Sequence, residues 1–232
     1  MKQYLIDIHC HTSEVSGCGQ TPAAEAVRLY NSMGYSGIMI TDHFNSNLLN
    51  NKPDADWEQK VDYFLSGYLS ALSEADKIGN FKVYIGAELR FDENDNDYLL
   101  FGLNKDKLMK MEKLPQMSTE DGIKFVHSLD CVIIQAHPFR NGGTIISPGQ
   151  LDGVEVFNGH KGHDSRNDIA QKWAKKFGYI MTSGSDFHGE HDPTSGIYVD
   201  NIPESEDELR VLILSGNYDL RTDANLGYIT NG

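Results

Sequence analysis

The stretch YLIDIHCHT, residues 4–12, decides the fold, because an apolar run ends there in two histidines separated by one residue. Residues 4–8 form a short apolar run of the kind that makes a buried β-strand. His9 and His11 follow it directly, and side chains so placed past a strand end can both turn toward the same side. The stretch therefore predicts a strand that presents two imidazoles at its carboxyl end.

Four later apolar runs end in polar residues of the same kind. These residues are Asp42 with His43, Glu88, His137, and Asp186 with His188. In a parallel α/β barrel the carboxyl ends of all strands point to one face, so side chains at those ends converge. Histidines scattered through a core would not fall so regularly at strand ends. We therefore expect one polar site built from these strand ends.

Segments with helical spacing alternate with the strand-like runs. Helices are predicted after Thr21, over about residues 56–78, from near Ser118, over about 165–177 and from near Ser205. Such β-α alternation predicts a mostly parallel sheet with helices outside it. Roughly seven strands in 232 residues favour a short α/β barrel, and an open doubly wound sheet is the alternative.

Composition limits the classes of function. The formal charge is −14, and so acidic a surface repels nucleic acid, because phosphate binding depends on Lys and Arg. The three cysteines are an odd number without paired spacing, which fits a reducing compartment. The chain has no run of about 18 apolar residues and no signal-peptide pattern. We expect a cytoplasmic protein without membrane contact and do not expect nucleic acid as its partner.

The mixture of imidazoles and carboxylates indicates a metal site. Such ligands suit divalent cations, among them Zn, Mn, Fe and Mg. A carboxylate such as Glu88 can bridge two ions, since its two oxygens are separate ligands. Two ions about 3.5–4 Å apart would clamp the attacking and leaving oxygens of a displacement at phosphorus.

Taken together, the motifs resemble those of the PHP (polymerase and histidinol phosphatase) family. The matching stretches are DIHCHT at 7–12, TDH at 41–43, GAE at 86–88, AHP at 136–138 and SDFH at 185–188. The resemblance runs over residues 5–190 and implies a distorted seven-stranded β/α barrel, a (β/α)7 barrel, that holds two or three divalent metal ions. We expect a single domain over residues 1–232, with a C-terminal helix and tail at 203–232.

Carried over position by position, the resemblance implies ligands for each ion. The first ion would be held by His9, His11, Glu88 and Asp186. The second would be held by Glu88 and His137. His43 and His188 would help to hold a third ion or would contact the substrate phosphate.

One departure from the family pattern concerns the third ion. Many relatives carry His or Asp five or six residues after the second histidine of the opening motif. This chain has Ser16 and Gly17 there, and Glu14 and Cys18 are the nearby substitutes.

A second departure concerns the second ion. Many relatives carry a histidine on the fourth strand, and this strand has none here. Asp97 would take its place. His127 is the one histidine between Glu88 and the AHP motif, but it falls on a predicted helix.

Three residues are expected to meet the substrate. Arg140 follows the AHP motif at the rim of the site, where its guanidinium can grip phosphate oxygens. Asn158 and His160 follow the strand that ends at Phe157 and are expected to shape the pocket. His163 and His191 are interpreted as loop residues without chemistry.

We therefore expect metal-dependent hydrolysis of a small phosphomonoester by a hydroxide that bridges two ions. Candidates are a sugar phosphate, a nucleotide and, by the resemblance, histidinol phosphate. The metals, Arg140 and His43 would stabilise charge on the phosphoryl oxygens, and His188 or a water on a third ion would protonate the leaving oxygen. Three alternatives stay open: a phosphodiesterase or nuclease on the same scaffold, a metal-dependent amidohydrolase, and a barrel that binds metal without catalysis. The oligomeric state does not follow from the sequence.

Overall fold

The computed structural model describes residues 4–50, 52–189, 191–222 and 229–230 of a mixed α/β chain. The strands are β1 (Tyr4–Cys10), β2 (Gly37–Ile40), β3 (His43–Phe44), β4 (Lys82–Ile85), β5 (Ala87–Arg90), β6 (Asp97–Phe101), β7 (Val132–Gln135), β8 (Gly153–Asn158), β9 (Ile180–Gly184), β10 (Gly196–Val199), β11 (Asp219–Arg221) and β12 (Ile229–Thr230). The helices are α1 (Ala23–Ser32), α2 (Ser46–Asn50), α3 (Trp57–Phe64), α4 (Ser66–Ile78), α5 (Lys105–Leu108), α6 (Thr119–Ser128), α7 (Asn167–Phe177) and α8 (Glu206–Ser215), with a 3-10 turn at Leu114–Gln116.

Seven strand positions form a ring. β1, β2 and β4 lie side by side in parallel, and β5 to β9 follow one another in a second sheet. β2 continues into β3 and β4 into β5, so each of these pairs is one bent strand shared by both sheets. The ring returns to β1 through Phe187, whose N–H donates to the His9 carbonyl at 3.3 Å and whose carbonyl accepts from the His11 N–H at 2.9 Å. This is the distorted seven-stranded β/α barrel that the sequence predicts.

One strand of the ring runs against its neighbours. β6 is antiparallel to both β5 and β7, with Asp97 opposite Arg90 and Tyr98 opposite Gln135. Because Asp97 opens β6, the reversal places it at the face where the neighbouring strands end. The ring is parallel elsewhere, and β10 to β12 form an antiparallel extension beside β1.

Helices pack against the strands of the ring, as the alternation predicts. α1 and α4 pack on each other and share an apolar cluster with β1, β2 and β4. α6 lies on β7, α7 on β8 and α8 on β6. Buried apolar packing on this scale tolerates little displacement, so the helices hold the strand ends in place.

The long helix predicted over residues 56–78 is two helices, with a break at Leu65. Asp56 and Gln59 form a reciprocal capping box at the start of α3. α4 then packs its first turn against the loop that follows β1, where Gly67 meets Thr12 and Asp42. The apolar face is nearly continuous across the break, which is why the periodicity did not reveal it.

Within the described ranges, no helix is long and apolar enough to cross a membrane. The cytoplasmic location stays a prediction.

We predict that Gly67→Ala destabilises the fold by about 1–3 kcal/mol, because the added methyl has no room. Its Cβ would collide with Thr12 Oγ1 and would lie 2.8 Å from Asp42 Oδ2. The matched control is Gly17→Ala, whose Cβ meets no atom within 4 Å. Urea unfolding of both variants checks this, and equal midpoints would show that α4 can move away from the loop.

Candidate metal centre

The strand ends of the ring bring the predicted ligands together. Three overlapping groups have possible ligand atoms that lie within 4.8 Å of one another. The first group is His9, His11, Glu88 and Asp186, the second is Glu88, Asp97 and His137, and the third is His11, His43 and His188. Glu88 joins the first two groups and His11 joins the first and third, so the groups form one continuous centre.

His9 and His11 show that the first group fits a divalent cation. Both are fully buried, and their Nε2 atoms make no hydrogen bond with any residue that the structure describes. The two Nε2 atoms lie 3.3 and 3.4 Å from the Glu88 oxygens, and both lie 3.3 Å from Asp186 Oδ1. Buried polar atoms are nearly always paired. Here two imidazole nitrogens and two carboxylates face one another without hydrogen bonds from either nitrogen. Imidazole and carboxylate together are the ligands that Zn²⁺ and similar ions prefer.

A buried carboxylate orients His9 from behind. His9 Nδ1 lies 2.9 Å from Glu155 Oε1, so a proton on Nδ1 leaves the Nε2 lone pair directed at the centre. Glu155 Oε2 also accepts from the backbone N–H of His137 at 3.0 Å. A carboxylate behind a ligating histidine fixes its tautomer and raises its basicity. Glu155 therefore positions candidate ligands in two groups.

A hydroxyl and a carboxylate orient His11 in the same way. His11 Nδ1 lies 3.2 Å from Ser16 Oγ, which donates to Asp42 Oδ1 at 2.7 Å. Asp42 also accepts from the N–H and the hydroxyl of Thr12, each at 2.7 Å. Ser16, at one of the positions that depart from the family pattern, thus supports His11, and Asp42 anchors the loop after β1.

Two arginines bind Asp97, one of the two carboxylates of the second group. His137 Nε2 lies 3.0 Å from Glu88 Oε1 and 3.8 Å from Asp97 Oδ2. Arg90 donates to both oxygens of Asp97, at 2.7 and 2.6 Å, and Arg140 Nη2 donates to Oδ2 at 3.1 Å. Asp97 thus lies beside His137, where the sequence analysis places it, and the two guanidinium groups lie next to the centre.

The third group lies closest to solvent. The side chains of His43 and His188 are 26% and 13% exposed. His43 Nδ1 lies 2.8 Å from Glu88 Oε2, and its Nε2 lies 3.2 Å from Cys18 Sγ. Burial raises the pKa of Cys18, but hydrogen bonds to His188 and His43 and their charges lower it to about 6.

Charges inside the centre set the protonation of its members. Burial and the charge of His43 lower the pKa of His11 to about 3, so His11 is neutral and able to bind a cation. Burial raises the pKa values of Glu88 and Asp186, but the neighbouring histidines hold both well below the usual range. Burial lowers the pKa of His9, yet Asp186 and the other carboxylates raise it well above its usual value.

Two candidate ligands have an unusual backbone conformation. His137 has a φ of 26° and Asp186 a φ of 49°. Such conformations are rare outside glycine, cost about 1–3 kcal/mol each and cluster at functional sites. They occur just past the ends of β7 and β9, where each side chain has to turn over the mouth of the barrel.

Glu14 lies outside the three groups. Both its oxygens accept from the Ala23 N–H, at 3.1 and 3.0 Å, so the carboxylate caps the start of α1. Glu14 as the missing ligand of the third ion stays a prediction, although its carboxylate is engaged at α1. His127, weighed for the second ion, lies on α6 and pairs with Asp152 at 3.1 Å, away from the centre.

The two residues expected to shape the substrate pocket have different surroundings. Asn158 is buried, and its Nδ2 donates to Glu155 Oε2 at 2.9 Å and to Asp186 Oδ2 at 3.2 Å. Asn158 thus holds the carboxylates of the centre in place. His160 is partly exposed, and its ring lies 5.1 Å from that of His188.

The roles of Glu155 and Arg90 at the centre were not predicted from the sequence. Glu155 is a charge in the middle of the apolar run 153–157, and a charge inside a buried strand needs a partner. Arg90 stands two residues after Glu88 and therefore lies on the same face of β5. Both signals were present in the sequence.

Known proteins resemble this chain over most of the barrel. The model of the PHP domain matches residues 7–213. Among solved structures, a two-domain protein from Bacteroides vulgatus containing a predicted PHP-like metal-dependent phosphoesterase is 18% identical, with a TM-score of 0.65 over 95% of this chain and 65% of that one. A candidate metal-dependent phosphoesterase from Bifidobacterium adolescentis is also 18% identical, with a TM-score of 0.53 over 90% and 96%. The lesion-specific endonuclease EndoQ from Pyrococcus furiosus is 13% identical, with a TM-score of 0.58 over 94% and 57%. At these identities the likeness concerns the fold alone, and no curated protein matches the chain significantly.

We predict that Glu155→Gln weakens Zn²⁺ binding by about 10–100-fold, because the amide no longer fixes the tautomer of His9 through a charged partner. Chelator competition on the metal-free protein measures this. The matched control is Glu120→Gln, which alters only an exposed pair with Lys124. Equal affinities for the two variants would remove Glu155 from the metal centre.

Proposed function

Because the chain belongs to the PHP domain family, we propose that it is a metal-dependent phosphoesterase whose substrate is a small phosphomonoester. The metal ligands proposed are those of the three groups, with two or three divalent ions. Metal identity is left to experiment, since affinity order alone does not decide which ion a cell supplies.

The observation that carries this proposal is the position of Glu88. Its Oε1 lies 3.0 Å from His137 Nε2 and its Oε2 lies 2.8 Å from His43 Nδ1, so one carboxylate faces ligands of different groups. Divalent ions held there would lower the pKa of bound water and neutralise charge on phosphoryl oxygens. The ligands that would hold them are already oriented by Glu155 and by Ser16 with Asp42.

The chain also supplies cationic groups for a phosphoryl group. Arg140 and Arg90 share Asp97, yet their side chains are 26% and 37% exposed. A guanidinium matches the geometry of phosphate oxygens, and the bond to Asp97 fixes its plane. Arg140 would orient the phosphoryl oxygens and stabilise the charge that grows on them in the transition state.

The space beside the centre favours a small substrate. A cavity of about 230 Å³ is lined by Asn158, His160, His163, Lys161 and Arg166, among others. Lys161 and Arg166 give it two cations beside one carboxylate, that of Asp164, whereas the whole chain has a formal charge of −14. A compact phosphomonoester would meet these cations, whereas a long nucleic acid would have to cross an acidic surface. We therefore propose that His160 lies next to the bound substrate and keep Asn158 as a positioning residue.

Two broader expectations belong to the same proposal. The PHP match over residues 7–213 is consistent with one domain over 1–232. The cytoplasm, a reducing compartment, is the proposed location.

We predict that His9→Ala abolishes metal-dependent phosphate release while the fold survives, because a fully buried ligand of the first group is lost. The assay uses metal-free protein, Mn, Zn, Fe or Mg added back, and a panel of phosphomonoesters. His127→Ala, which removes a histidine outside the centre, is the matched control and keeps full activity.

Release that persists in His9→Ala would refute the site. Turnover only of diesters or of amides would favour the nuclease or the amidohydrolase, and bound metal without turnover would favour the non-catalytic barrel.

We predict that Arg140→Ala lowers kcat/KM for a phosphomonoester by about 10–100-fold, the size expected for a charge-assisted hydrogen bond. Metal content should stay unchanged, because Arg90 still grips Asp97. Arg28→Ala, which breaks an exposed pair with Glu74, is the control. Steady-state kinetics on both variants would contradict the role of Arg140 if they gave the same kcat/KM.

A further inference from the structure

Cys18, which its position in the sequence makes a nearby substitute for the missing ligand of the third ion, lies against the third group. Its Sγ is 3.2 Å from His43 Nε2, and His43 belongs with His188 to the third group. It is exposed, whereas Cys10 and Cys131 are buried. A thiol and two imidazoles therefore meet at the mouth of the barrel.

A second observation points to a cation at the same place. His11 belongs to the third group, its side chain is fully buried, and its Nε2 makes no hydrogen bond with a described residue. Ser16 fixes the other ring nitrogen of His11 at 3.2 Å. The one remaining lone pair of His11 faces both the first and the third group and can bind an ion of either, with His43 and His188 on its solvent side.

We propose that Cys18 is a sulfur ligand of the third group and that, with His43 and His188, it makes this outer position selective for a thiophilic divalent cation such as Zn²⁺. The inference rests on the proposed function only in that the centre binds divalent cations. It does not require turnover.

Ligand chemistry supports a thiolate at this position. Zn²⁺ binds sulfur at about 2.3 Å and imidazole nitrogen at about 2.0–2.1 Å, so two such ligands on a tetrahedral ion lie about 3.5 Å apart. The observed 3.2 Å between Cys18 Sγ and His43 Nε2 is close to that spacing. Thiolate favours Zn²⁺ over harder ions such as Mn²⁺ and Mg²⁺, which prefer oxygen.

The nearby alternatives are already engaged. Ser16 Oγ donates to Asp42 at 2.7 Å and accepts from the His43 N–H at 3.1 Å, and both Glu14 oxygens cap α1. Gly17 has no side chain to offer. Cys18 thus replaces the side chain that relatives carry at the two departing positions. As ligands, His43 and His188 would hold the ion, so the proton-donor role expected of His188 would fall away.

Thiol reactivity tests the proposal on the full-length protein. Because Cys10 is 0% and Cys131 is 4% exposed, an aromatic disulfide reagent applied to the folded protein reports on Cys18. Saturating Zn²⁺ should slow the reaction at least about tenfold relative to metal-free protein, since a coordinated thiolate is withdrawn from attack. An unchanged rate with Zn²⁺ bound would overturn the proposal.

Cobalt supplies a spectroscopic readout. Co²⁺-loaded protein should show a sulfur-to-metal charge-transfer band in the near ultraviolet, which Cys18→Ser loses and Cys131→Ser keeps. Cys18→Asp should bind Mn²⁺ more tightly relative to Zn²⁺ than the parent does, by about tenfold or more, because oxygen replaces sulfur. A band that survives in Cys18→Ser, or selectivity that does not move in Cys18→Asp, would overturn the assignment.

The proposed function can fail separately from this inference. The band and the thiol protection need bound metal but no hydrolysis, and His9→Ala leaves the third group intact. A sulfur-to-metal band in a protein that hydrolyses no phosphomonoester would contradict the proposed phosphatase activity and support Cys18 as a metal ligand. Hydrolysis by a metal-loaded protein whose Cys18 stays fully reactive would support the phosphatase activity and contradict Cys18 as a metal ligand.

Discussion

The burial of ionised carboxylates among imidazoles is the constraint on which the rest of the structure depends. Glu88 and Asp186 are each 2% exposed, and placing two such charges together in a protein interior costs several kcal/mol unless cations offset it. The neighbouring histidines lower the pKa values of both carboxylates. A divalent cation offsets the same charges more completely. The barrel, the capped loops and the supporting hydrogen bonds all serve to hold these groups within reach of one another.

Local backbone features place the candidate ligands of the centre at the mouth of the barrel. The reversed strand β6 brings Asp97 to the face where parallel strands end, and left-handed turns at His137 and Asp186 aim two ligands across the mouth. Behind the ligands, Glu155 supports His9, while Ser16 and Asp42 support His11. Such contacts behind the ligands fix the tautomer and the orientation of each imidazole ring. Neighbouring residues can bind the same ion only when their ligand atoms are oriented in this way.

Much of this could be predicted from sequence, for identifiable reasons. Histidines and carboxylates at strand ends are recognisable by position, which is why the seven-stranded barrel could be predicted. The grouping of Asp97 with His137 and Glu88 followed instead from the resemblance to the PHP family. The cap that Glu14 forms at α1 was not foreseen, because a carboxylate near a helix start can either cap the helix or bind a cation, and sequence distance does not distinguish the two. The partners of Arg90 and Glu155 required the pairing register of β5, β6 and β8, which depends on tertiary contacts. The break at Leu65 stayed hidden because two helices can share one apolar face.

The most direct test is the anomalous diffraction of crystals grown from metal-free protein and soaked with Mn²⁺ or Zn²⁺. The central claim is that Glu88 joins two cation sites at the mouth of the barrel. It predicts one anomalous peak among His9, His11, Glu88 and Asp186 and a second among Glu88, Asp97 and His137. Zn²⁺ should add a peak beside His43, His188 and Cys18. Peaks confined to other parts of the chain, or a fully soaked crystal with no ion at Glu88, would contradict the claim.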